Sequence, residues 1–105
     1  MAEYQFLVLS NPISGQEQEF NRWYDEEHIP SILTVEGMKA AIRYKRAIDL
    51  DDNGGWEYVV VYHMETDDLP GLIGRIEAAA AAGTISTSPA LDLPNAVRGI
   101  YKKMG

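Results

Sequence analysis

The spacing of hydrophobic and polar residues changes several times along this chain, and each change marks an element. Residues 3–10, EYQFLVLS, are apolar on both alternating faces at their centre, which predicts an inner strand. The turn residues NPISG follow. Ser14 and Glu17 have the S-x-x-E spacing of a capping box, which opens a helix predicted over 15–29. On that helix Phe20, Trp23, Tyr24, Glu27 and His28 recur at helical spacing and share one face. Pro30 has no backbone donor and disfavours helical geometry at Ile29, so the helix should end or bend there. SILTVEG is then a short irregular connection closing at Gly37.

Residues 38–47, MKAAIRYKRA, predict a second strand whose lysines and arginines suit a sheet edge. Asn53-Gly54, within DLDDNGG, is a hairpin signal. WEYVVVYHM, 56–64, is rich in β-branched and aromatic residues and is the clearest strand. Asp67 or Asp68 should cap a second helix over 69–82, with Pro70 in its first turn and Gly83 ending it. Its alanine run suits close packing on a neighbouring element. The stretch 83–95 is long for a loop and suits a lid, and 96–103 is a last short strand.

The order β-α-β-β-α-β predicts an α+β, ferredoxin-like domain over 1–105, a four-stranded antiparallel sheet with two helices on one face. The other face would stay bare, and these strands are too apolar for that. The pattern therefore predicts a homodimer closed sheet to sheet.

Charge and composition narrow the partners. The net charge of −7 repels nucleic acid and anionic membrane surfaces, so neither is an expected partner. No apolar stretch approaches the ~20 residues of a membrane span, and the N-terminus has no signal-peptide pattern. With no cysteine there is no thiol chemistry, and the absence fits a reducing cytoplasm.

His28 is the first candidate for chemistry. Helix-end carbonyls and Asp25, one turn earlier, favour imidazolium, while burial beside Phe20 and Tyr24 opposes it. A histidine so balanced suits general acid/base work; the alternative is a residue that only closes the helix. His63 would share that work if it faces the same cavity, which alternation along its strand leaves open. Tyr24 shares the His28 column and can present its hydroxyl there. Trp23, Phe6, Tyr44 and Tyr62 supply apolar and phenolic walls for a flat, partly polar ligand such as an aromatic acid, phenol or lactone. Asp25, His28 and His63 could form a two-histidine, one-carboxylate set, but a solvated acidic helix face is the simpler reading, and no metal is expected. Walker, Rossmann and nucleophile-elbow patterns are absent.

The element order, with FNRWYDEEHIPSILTVEGMKAAIRYK, resembles the dimeric α+β barrel superfamily, and within it the EthD-like branch of small catabolic and tailoring proteins. The matching feature is an aromatic-rich first helix ending in His28-Ile29-Pro30, followed by VEGM. The resemblance implies a cofactor-independent homodimeric enzyme of isomerase or lyase type, acting on a small cyclic or aromatic metabolite. His28 would be the acid or base, helped by Tyr24 and, where it faces the same cavity, by His63. It also implies two rivals: a non-catalytic binding protein, and a small monooxygenase that uses haem or no cofactor.

Overall fold

In the computed structural model, which describes all 105 residues, the chain runs β1 (Ala2–Ser10), α1 (Glu17–Trp23), a π turn (Tyr24–His28), α2 (Ile29–Ile32), β2 (Met38–Lys45), β3 (Tyr58–Thr66), α3 (Leu69–Ala81) and β4 (Val97–Lys102). The strands form one antiparallel sheet in the order β2-β3-β1-β4. This is the ferredoxin-like plan. β1, apolar on both faces, lies inside the sheet, and the basic β2 forms an edge. β3 begins at Tyr58, two residues later than its pattern predicts. Trp56 stands outside it and donates its indole N–H to the Asn95 carbonyl at 2.7 Å.

Alternation along β3 sets the two faces. Tyr58, Val60, Tyr62, Met64 and Thr66 are buried, while Val59, Val61, His63 and Glu65 are only half-buried. Apart from Thr66, the buried row packs with Phe20, Trp23, Tyr24, Ile32 and Leu72 in the core. Aromatic contacts tie α1 to the sheet: the Phe20 ring lies 5.0 Å from Tyr58 of β3 and meets Tyr24, on the following turn, edge-on at the same distance. No helix is long and apolar enough to cross a membrane.

The start of the first helix differs from the expectation. The capping box does not form: Gln16 takes the N-cap position without a side-chain bond, and the helix begins at Glu17. Gly15, at φ +81°, turns the chain so that Ser14 stands outside the helix entrance.

Pro30 does not end the helix. The backbone bonding widens instead, and the Ile29 N–H donates to the Tyr24 carbonyl, five residues back. Pro30 then falls in the first turn of α2, where a missing donor is tolerated. The Ser31 hydroxyl donates to the His28 carbonyl at 2.8 Å and helps to satisfy the turn. Gly37, at φ +100°, leads into β2, and a Cβ there would lie 3.1 Å from Leu72.

Asp68 caps α3 by accepting the Gly71 N–H at 3.1 Å, and Gly83 follows the helix at φ +79°. The alanine run does not pack as expected. Ala78, Ala80 and Ala81 are exposed and only Ala79 is half-buried, because this end of α3 borders a cavity rather than another helix. Leu72 anchors α3 to the core.

Candidate active site

A cavity of about 230 Å³ lies between the first helical segment, the centre of the sheet and the loop before β4. Hydrophobic residues make up 12 of the 17 that line it. Phe6 and Tyr62 rise from the sheet, Trp23, Tyr24 and His28 come from the helix, and Ile85 and Ser86 close it from the loop. An apolar cavity of roughly 150 Å³ accepts benzene, so this one admits a single ring with small substituents.

The π turn places His28. In a regular α-helix, residues five apart point about 140° away from each other at ~100° per residue. The wider turn brings them into line. The His28 ring therefore stacks on Trp23, with centroids 4.5 Å apart and planes 30° apart. The same five-residue spacing lets Arg22 bridge to Glu27 outside, so Glu27 leaves the face that helical periodicity assigns it.

His28 Nδ1 lies 3.2 Å from the Ser86 carbonyl oxygen. A carbonyl only accepts, so Nδ1 carries the proton. Burial lowers the His28 pKa from its ordinary 6.5, and the Ser86 carbonyl opposes part of that shift. The imidazole is thus neutral at pH 7, with Nε2 as a bare lone pair in an apolar cavity. Ser86 also accepts the Trp23 indole N–H on Oγ at 3.1 Å. One loop residue therefore orients both stacked rings.

Tyr24 and Tyr62 also line the cavity. Burial raises both phenol pKa values, so both are protonated donors at neutral pH. The Ser10 side chain beside Tyr24 and the Arg43 guanidinium, 4.8 Å from the Tyr24 ring centroid, pull the other way. Ser10 Oγ nevertheless makes no hydrogen bond of good geometry, and the buried Tyr62 hydroxyl has no partner either. A buried polar group left this way costs about 1–3 kcal/mol.

The structure brings together His28, Tyr24, Trp23, Tyr62 and Phe6, and separates the other three candidates. Asp25 is exposed and pairs with Arg43 at 3.0 Å, so it points away from His28. His63 follows the alternation of β3 onto the opposite sheet face, where Nε2 lies 3.2 Å from Glu3 and 3.5 Å from Glu65. Tyr44 pairs in register with Val59 on that same face and is exposed. The two-histidine, one-carboxylate set therefore does not assemble. Glu3, His63 and Glu65 are the side chains close enough to share a metal ion, with ligand atoms within 4.8 Å of one another. They lie outside the cavity. Ser86 and Arg98 line it without having been singled out by any motif. The length of the loop was the signal for Ser86, and Arg98 carried none.

Residues 6–70 match the model of a domain of unknown function, DUF4286. The chain belongs to the DUF4286 family. The DUF4286 match takes in β1 from Phe6 onward, the His28 turn, β2 and β3, and leaves the Ser86 loop and Arg98 outside. No curated protein matches the sequence. Several solved structures resemble this DUF4286 chain. A protein of Arabidopsis thaliana is 16% identical with a TM-score of 0.74, over 97% of this chain and 96% of that one. A DABB family protein with a ferredoxin-like fold from Mesorhizobium loti is 8% identical with a TM-score of 0.69, over the whole of both chains. An ethyl tert-butyl ether D (EthD) family protein from Bacillus halodurans is 14% identical with a TM-score of 0.63, over 99% and 100%. At such identities the likeness is one of fold, and that fold is ferredoxin-like.

Proposed function

We propose that this DUF4286 protein is a cofactor-independent enzyme of small-molecule catabolism in the cytoplasm. It takes one small cyclic or aromatic compound and moves a proton on it, as isomerisation, ring closure or carbon–carbon cleavage requires. The observation that carries this reading is the neutral His28, tied through Nδ1 to Ser86 and stacked on Trp23, with Nε2 unpaired in a largely apolar cavity. A base held in one tautomer and one orientation is what proton abstraction beside a carbonyl needs. The proton passes to Nε2 and the electron pair to the carbonyl oxygen. The protonated phenol of Tyr24 is the cavity's donor for the resulting oxyanion. Asp25, His63 and Tyr44 have no part in this scheme.

The cavity is too small to enclose a porphyrin, since it lies below the ~300–1,000 Å³ of pockets for drug-sized ligands. This disfavours the haem rival. Exposed Ile42, Tyr44, Val97 and Tyr101 on the open sheet face support a homodimer closed sheet to sheet.

Deuterium exchange tests the acid/base role. Cyclic ketones and diketones are incubated with the protein in D₂O, and proton loss beside the carbonyl is followed by NMR. The wild type should exchange at least one of them, and His28→Gln should slow that exchange about 100-fold or more. A folded His28→Gln variant that exchanges at the wild-type rate ends the proposal. Binding at the cavity with no exchange by either protein supports the non-catalytic rival.

A further inference from the structure

We infer that the ligand of this cavity is an anion, a single ring bearing a carboxylate, and that Arg98 holds the carboxylate at the mouth. The inference deepens the proposed function and rests on its reading of the cavity. Arg98 stands in register with Val8 on the helix-facing side of the sheet. It lines the His28 cavity and also the open groove beside it along β4, so it stands between the enclosed space and solvent. Apart from His28 it is the sole ionisable cation or anion of the lining other than the two phenols.

The other arginines each have partners. Arg22 pairs with Glu19, Arg43 with Asp25 and Arg46 with Asp49, and Arg75 donates to the Glu36 carbonyl. Arg98 has no such ion pair or side-chain hydrogen bond, in a chain with 16 carboxylates to 9 lysines and arginines. Glu77 shares the outer groove with Arg98 without forming an ion pair. A guanidinium presents a planar fork of donors that matches a carboxylate in two parallel bonds. A chain of net charge −7 repels free anions, so a retained anionic ligand needs such a local cation.

The walls supply the rest of the recognition: Tyr62, 1% exposed, lines the cavity with Phe6 and Trp23 and offers aromatic faces to a flat ring. The ligand so described has a charged end at Arg98 and a flat apolar body of one ring.

Matched probes test this directly. Salicylate and salicylamide share a ring and a hydroxyl but differ in charge. Each is titrated into the protein at pH 7 while the Trp23 indole and His28 imidazole NMR signals are followed. Salicylate should shift both signals and bind at least tenfold tighter than the amide. Arg98→Gln should bring the two probes to equal affinity, and Arg98→Lys should keep part of the difference. Equal binding by the wild type, or a preference for salicylate that survives Arg98→Gln, overturns the role of Arg98 and leaves the cavity reading standing. No shift at either signal with either probe overturns both.

Discussion

At the scale of single residues, His28 is the group whose surroundings set its chemistry. Its pKa is lowered by burial, so below pH 6.5 the unfolded chain takes up a proton that the folded one resists. Stability should therefore fall as pH drops from 7 toward 5. The fall should be smaller in His28→Gln, and thermal melts of both proteins across that range check it. Activity should decline on the acid side with a midpoint below 6.5, the reverse of what an ion pair with Asp25 would give. Tyr62→Phe separates stability from function. Removing an unpartnered buried hydroxyl should leave stability unchanged or raise it by about 1 kcal/mol in urea unfolding, while ring-compound binding, which meets the ring and not the hydroxyl, stays the same. Lower stability in that variant would mean that the hydroxyl has a partner within the protein. Much of this site is legible in the residues: the aromatic column predicts Trp23, Tyr24 and His28 together. The roles of Ser86 and Arg98 are not, because they arrive from segments about 60 or more residues away in the chain.

At the scale of elements, the π turn is the feature that periodicity misses. A 3.6-residue pattern puts Glu27 and His28 on one face. The wider turn moves Glu27 out to Arg22 and stacks His28 on Trp23. Only Pro30 hints at it, by forbidding one regular bond. Because the turn already accommodates the missing donor, Pro30→Ala should change stability by less than about 1 kcal/mol in urea unfolding. An uninterrupted helix interior would instead give about 3 kcal/mol. A large stabilisation would show that the proline strains this helix. The strands were easier to read, since alternation with β-branched residues has one physical meaning on a half-buried sheet. Their ends differ by about two residues, as at Trp56, which stands before β3 with its indole bonded to the Asn95 carbonyl.

At the scale of the whole molecule, the sheet has one face under helices and one without a layer. Ile42, Tyr44 and Tyr101 on the open face are 55%, 54% and 56% exposed. A sheet-to-sheet dimer would cover them, and light scattering should then report about 23 kDa, twice the 11.7 kDa chain. Ile42→Lys, at the centre of β2, should yield the 11.7 kDa monomer with an unchanged circular dichroism spectrum. A wild-type protein that scatters as a monomer rejects the dimer. His63, Glu3 and Glu65 lie on this same face, so such a dimer would change their environment and leave that of His28 as it is.

Hydrophobic order along the chain was enough to determine the βαββαβ plan, the inner place of β1, the edge place of β2 and the clustering of aromatics on the first helix. These follow from local periodicity, which every residue in an element reports together. Tertiary structure alone decided which face His63 takes, that Asp25 serves Arg43, and that Ser86 sets the tautomer of His28. Each of these depends on one contact between distant segments, and one contact leaves no period in a sequence.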